Sequence, residues 1–196
     1  MSRIGKMPVV IPDTVKLDIR PGAVEVSGPL GKLLQVLPPH TRVKIDKNQA
    51  LVELVGLNDK EGGALHGLAR SLVYNAVTGV TQGFKKNLEI VGLGYRAQVT
   101  GDKLILQLGF AHPVEFRLHP GIKATVDAKQ TAIAISGIDC YRVGEVAANL
   151  RRLKPPEPYK GTGIRYAGEH IVRKAGKAAA GAAGAGAGGS GGGAKK

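Results

Sequence analysis

Residues 46–72 lie over residues 127–153 without a gap at a constant shift of 81, and this repeat restricts the fold more than any other feature of the chain. Asp46/Asp127, Gln49/Gln130, Gly56/Gly137, Gly63/Gly144, Arg70/Arg151 and Leu72/Leu153 are identical pairs. Apolar positions agree too: Ile45 with Val126, Val52 with Ile133, Leu54 with Ile135, Leu57 with Ile138, and Leu65 with Val146. Each copy reads as strand, short polar turn, strand, helix. A chain of 196 residues built this way holds two similar small domains from an internal duplication. We expect an α+β repeat over 1–82, a second over 83–174, and a tail over 175–196.

Short runs with partial period-two alternation predict the strands. In the first copy they are Val15–Ile19, Ala23–Ser27, Leu33–Leu37, Arg42–Ile45 and Leu51–Val55, separated by Pro-Gly, Gly-Pro-Leu-Gly, Pro-Pro and Asp-Lys-Asn. Asn58 with Glu61 three residues on has capping-box spacing. The stripe Leu65, Leu68, Ala69, Leu72, Val73, Ala76 and Val77 then predicts a helix ended by Gly79 or Gly83. The second copy predicts strands at Leu88–Gly92, Tyr95–Thr100, Lys103–Leu108, Val114–Leu118, Lys123–Val126 and Ala132–Ser136. Asp139 caps a helix with Val143, Val146, Ala147 and Leu150 inward, and Pro155–Pro156 stop it. Each copy is thus a mainly antiparallel sheet with one helix across a face. Aromatic residues make up 4% of the chain and Trp is absent, so the cores must be built from Val, Leu, Ile and Ala.

The formal charge of +13 points to a polyanionic partner. That excess is uneven: residues 151–177 hold eight Lys and Arg against Glu157 and Glu169. Within them lies Lys154-Pro-Pro-Glu-Pro-Tyr-Lys-Gly-Thr-Gly-Ile-Arg-Tyr166. Pro155, Pro156 and Pro158 favour a pre-extended backbone. Gly161 and Gly163 permit close approach. Lys154, Lys160 and Arg165 can pair with phosphates, and Tyr159 and Tyr166 can stack. Such a segment suits either a strap on a polyanion or a solvated linker. Arg142, Arg151 and Arg152 lie off the helix's apolar stripe beside it. Of residues 175–194, all but Lys177 and Ser190 are Ala or Gly, which predicts a flexible tail.

Enzyme chemistry finds little support. The single Cys140 excludes an internal disulfide and a Cys-based zinc cluster; beside no His or Asp motif it is expected to be a small buried residue. His40, His66, His112, His119 and His170 lack metal-ligand spacing. Gly92-Leu-Gly94-Tyr-Arg-Ala97 resembles a dinucleotide fingerprint, yet a strand is predicted next, where a helix is needed. No cofactor, small-molecule substrate or membrane partner is expected. No apolar run reaches the ~18–20 residues of a membrane span, and the start of the chain does not read as a signal peptide. The aromatics are too few for base stacking to dominate, so contacts to phosphate and sugar on folded RNA fit better.

Met1-Ser-Arg-Ile-Gly-Lys6 with Pro8 and Ile11-Pro12, and Pro156-Glu-Pro-Tyr-Lys-Gly-Thr-Gly-Ile-Arg-Tyr166, resemble the opening and the C-terminal signature of the bacterial-type family of large-subunit ribosomal protein six. The resemblance covers about residues 1–175. It implies two similar α+β domains in a structural protein of the cytoplasmic ribosome. It implies binding to 23S-type rRNA near the stalk base, the sarcin–ricin region and the elongation-factor site, beside neighbouring ribosomal proteins. The implied RNA contacts are Lys154, Tyr159, Lys160, Gly161, Gly163, Arg165 and Tyr166. Arg151, Arg152, Arg173 and Lys174 are added on charge, and Ser2, Arg3 and Lys6 as a further transfer. Thr162 stands where the family commonly has Lys. An alternative is a protein–protein adaptor that docks through the less charged first copy.

Overall fold

The computed structural model describes residues 2–56 and 60–176, and one sheet plan occurs in it twice. In the first half β2 (Lys16–Arg20), β3 (Ala23–Gly28) and β4 (Gly31–Val36) form an antiparallel meander. A second sheet has the order β1 (Val9–Val10), β6 (Gln49–Leu54), β5 (Thr41–Asp46), and α1 (Lys60–Thr81) packs on the strands. In the second half β8 (Arg96–Thr100), β9 (Lys103–Gln107) and β10 (Val114–Arg117) repeat the meander. The other sheet runs β11 (Ile122–Val126), β12 (Ala132–Gly137), β7 (Phe84–Val91), β13 (Gly163–Tyr166), and α2 (Cys140–Leu153) covers one face. The α+β duplication expected from the repeat is borne out.

Alternation explains which side of each strand is inside. Val24 and Val26 on β3, and Leu104 and Leu106 on β9, are buried at every second position. Thr100 pairs with Lys103 across a two-residue turn in which Gly101 has φ 58°, a left-handed conformation suited to tight hairpins. Ala69, Val73, Ala76, Val77 and Val80 of α1 meet Val24, Val26, Val43 and Val52. Val143, Val146, Ala147 and Leu150 of α2 meet Leu88, Ile90, Ile133 and Ile135. The Asp139 carboxylate caps α2 by accepting the Tyr141 N–H at 2.9 Å. The proposed cap Asn58 lies outside the described residues.

The gap-free overlay needs one correction. Thr41 faces Leu54 in the β5–β6 hairpin, whereas Ile122 faces Gly137 in β11–β12, so the second turn is two residues longer. The shift of 81 holds for β5/β11 and for the buried helix positions His66/Ala147 and Ala69/Leu150. Strands β6 and β12 are displaced by the extra two. Side chains alternate with period two, so this slip leaves every residue on its original face. The halves meet where α1 ends: a Cβ on Gly79 would sit 2.1 Å from Ile138 O, and one on Gly31 would sit 2.8 Å from Ile138 Cδ1.

Candidate nucleic-acid interface

Beyond Leu153 the chain does not stay a strap outside the duplicated core. The Glu157 N–H donates to Thr162 O at 2.9 Å and the Gly161 N–H to Glu157 O at 3.0 Å, closing a loop over 157–162. The chain then enters the sheet as β13, antiparallel to β7, with the Ile164 side chain fully buried. Its last part returns to the loop, where the Lys174 N–H donates to Pro158 O at 2.8 Å. The extended-strap expectation therefore holds at most for the prolines before the loop. A run rich in Gly, Pro and cations reads as loop because its pairing partner β7 is far away in sequence.

The two glycines serve close packing within the protein. A Cβ on Gly163 would lie 2.6 Å from Pro155 O, and one on Gly161 would lie 3.2 Å from a guanidinium nitrogen of Arg173. Both residues are buried. The Thr162 hydroxyl donates to the Glu157 carboxylate at 3.1 Å, so this position is engaged inside the loop.

The cations separate into two sets. Arg165 donates through Nε and Nη2 to Glu89 Oε2 at 3.0 and 2.8 Å. Arg151 forms a two-point pair with Glu169, and its guanidinium lies 5.9 Å from the centre of the Tyr166 ring. The Arg151 hydrogen bond, with help from the Tyr166 N–H, holds the Glu169 carboxyl below the usual range, and the same bond raises Arg151. These two arginines brace β13. Lys154 Nζ sits 4.7 Å from the centre of the Phe110 ring. Arg152, Lys160, Arg173 and Lys174 are exposed and in no ion pair among the described residues, and Tyr159 stands exposed beside them.

The N-terminal residues form a separate group. The Lys6 N–H donates to Ser2 O at 3.2 Å, and Arg3 and Lys6 are exposed. Gly5 lies against the His66 ring, which is buried and has Nε2 2.8 Å from Val52 O. Arg70 donates from Nε to Met7 O at 3.4 Å and stacks 4.9 Å over Tyr74. Sequence reasoning missed Arg70 as a member of this basic group. The signal was available, because Arg70 is the repeat partner of Arg151, and each of the two stacks on a tyrosine.

Gly92 and Gly94 lead into β8, a strand, so the dinucleotide geometry is not formed. Cys140 is exposed, contrary to the expected burial. It is the first residue of α2, at the helix end set by the Asp139 cap and one turn before the first buried position, Val143. No group of three His, Cys, Asp or Glu among the described residues could hold a metal ion.

A duplicated α+β scaffold that carries exposed Lys160, Arg173 and Lys174 around one loop has the features of a protein suited to surface binding of a polyanion. The Ribosomal protein L6 family model matches residues 11–83 and 91–167, one stretch for each copy. The large ribosomal subunit protein uL6 of Thermodesulfovibrio yellowstonii is 52% identical over 177 residues, 90% of this chain and 98% of that protein. The uL6 of Dictyoglomus thermophilum is 52% identical over 179 residues, 91% and 98% of the two chains. That of Koribacter versatilis is 47% identical over 181 residues, 92% and 99%. The chain belongs to the ribosomal protein L6 family. This is a family of structural ribosomal proteins and not of enzymes, and the bacterial ribosome is cytoplasmic.

Proposed function

We propose that the protein is a constituent of the large ribosomal subunit that binds 23S-type rRNA near the stalk base and the elongation-factor site. Binding runs through phosphate, sugar and shape contacts centred on the 157–162 loop. The observation that carries this reading is that Lys160, Arg173 and Lys174 stand exposed around the 157–162 loop with Tyr159, and Arg152 stands exposed on α2, all without an ion pair among the described residues while Arg151 and Arg165 are neutralised. Lys154, over the Phe110 ring, and Tyr166, beside Arg151, join the contact on either side of the loop in sequence, and Ser2, Arg3 and Lys6 form a second, smaller contact. The domain limits expected at 82/83 and 174/175 are kept in this reading.

Replacing Lys160, Arg173 and Lys174 together with Ala should weaken rRNA binding and lower the log–log salt slope by about 0.7–0.9 for each lost phosphate contact. An unchanged slope overturns the assignment. Arg165→Ala belongs in a separate experiment, because it also strands Glu89. A second role, contact with neighbouring ribosomal proteins near the stalk base, falls to the first half, whose sheet mixes Arg42 and Lys44 with Asp46 and Glu53. Hydrogen-exchange protection of residues 1–82 that requires protein neighbours in the assembled particle is the expected result; protection by rRNA alone overturns it.

A further inference from the structure

The sheet β11-β12-β7-β13 has a second face, turned away from α2. Its register sets Lys123, Ser136 and Lys85 in one row and Thr125, Ala134 and Asn87 in the next. Ala132, Glu89 and Arg165 form a third. Directly opposed residues in an antiparallel sheet share a side. The alternate set, Leu88, Ile90, Ile133, Ile135 and Ile164, is buried beneath α2, so these rows face outward. None of the nine is buried; Lys85, Lys123 and Ser136 line an open cleft with Leu30 and Asp102, and Arg165 lines one with Gly161 and Arg173.

The duplication supplies an internal control. On the same face of the first half, Arg42 lies opposite Glu53 and Lys44 opposite Leu51. By strand pairing, Glu53 corresponds to Ser136 and Leu51 to Ala134. The second copy therefore has Ser and Ala where the first has an acid and a bulky side chain, and it carries Lys85 at the other end of the row. Lys85 and Lys123 stand two strands apart, on the order of 10 Å, with a serine between them. Neither forms an ion pair among the described residues. Of the nearby acids, Glu89 is held by Arg165, Asp127 lies past the end of β11, and Asp102 lines the same cleft as Lys85, Lys123 and Ser136 without an ion pair to either lysine.

We propose that this face is a second RNA-docking surface, distinct from the 157–162 loop, which takes the sugar–phosphate backbone of an RNA helix along its minor groove. The proposal rests on the reading above that the ligand is RNA. The A-form minor groove is wide and shallow and displays 2′-hydroxyls and phosphates. A broad open sheet matches that shape, Lys85 and Lys123 match its charge, and Ser136, Thr125 and Asn87 offer hydrogen bonds to ribose. The short side chains of Ala132, Ala134 and Ser136 keep nothing bulky between the lysines and the groove. Arg165 lies on this face while its strand carries the loop, so the two surfaces are continuous.

The test uses the full chain and a 23S-type rRNA transcript, with affinity measured across a salt series. Lys85→Ala with Lys123→Ala should lower the log–log slope by about 1.4–1.8 and weaken binding about 10–20-fold at roughly 0.2 M salt. Ser136→Glu, which restores the acid of the first copy between the two lysines, should weaken binding at least as much. Arg42→Ala with Lys44→Ala, on the equivalent face of the first half, should change neither quantity. If the Lys85/Lys123 and Ser136 variants bind as wild type while the Lys160/Arg173/Lys174 variant is weakened, the face is no RNA site and the loop reading stands. If all of them bind as wild type, both readings fail. Variants that keep rRNA affinity but no longer enter the assembled particle would mark the face as a site for an acidic protein and overturn the proposal.

Discussion

In the first half the sheet ends at β1, two residues long, with no further strand along it among the described residues. In the second half the same position is held by β7, eight residues long, and β13 is laid along its edge. The second copy thus shares the plan of the first and uses its longer central strand to seat the segment that carries the exposed Lys160, Arg173 and Lys174. The first copy stays shorter and holds the N-terminal turn against α1, where Arg70 donates to Met7 O. A duplicated fold presents two different surfaces through one added strand and a handful of charges, and that strand also adds Ile164 to the second core.

The sharpest way to break this comparison is to unseat β13. Ile164→Ala removes a fully buried side chain and should cost about 2–5 kcal/mol, read as a fall in denaturant midpoint. The core of the first half should unfold as in the wild type, so a loss shared equally by both halves would refute an independent role for β13. Next comes the junction. Gly79→Ala gains helix propensity yet pushes a Cβ into the Ile138 carbonyl, and a net loss of about 1–3 kcal/mol is expected. The two halves should then melt in separate transitions, visible by calorimetry.

A smaller effect comes from Glu169. Its carboxyl is held below the usual range, so its contribution is full above the unfolded pKa and disappears as pH falls through the lower folded value. The pair is partly exposed and small in energy. Between about pH 5 and pH 3 the wild type should lose strap protection in hydrogen exchange, corrected for intrinsic rates. Glu169→Gln should start lower and lack that step; a step of wild-type size in the variant would assign it to another carboxylate. The smallest effect is at Cys140. Cys140→Ser should shift stability by less than about 0.5 kcal/mol, and a thiol reagent should label the native protein stoichiometrically. Resistance to labelling without denaturant would contradict its exposed placement.

Much of the scaffold was legible because it is written locally. Alternation marked β3, β9 and β12, and Asp139 and Pro155 bracketed α2. What escaped depends on distant partners. Nothing near Gly163 shows that Ile164 will be buried, since the reason lies in Ile90 across the sheet. Arg165 and Arg151 read as phosphate ligands because Glu89 and Glu169 are brought to them only by folding. The two-residue slip between β6 and β12 escaped because an even displacement leaves the apolar pattern intact.

The place of β13 also has a consequence in time. Chains emerge from synthesis at about 5–20 residues per second and fold as their parts become available. All strands of the first half and α1 precede β7, so that half can close early. β7 then waits some 75 residues for its last neighbour, roughly 4–15 s at that pace, with one edge unpaired. The newborn protein is at its stickiest in this interval, and the segment that carries the exposed cations is also the one that ends it.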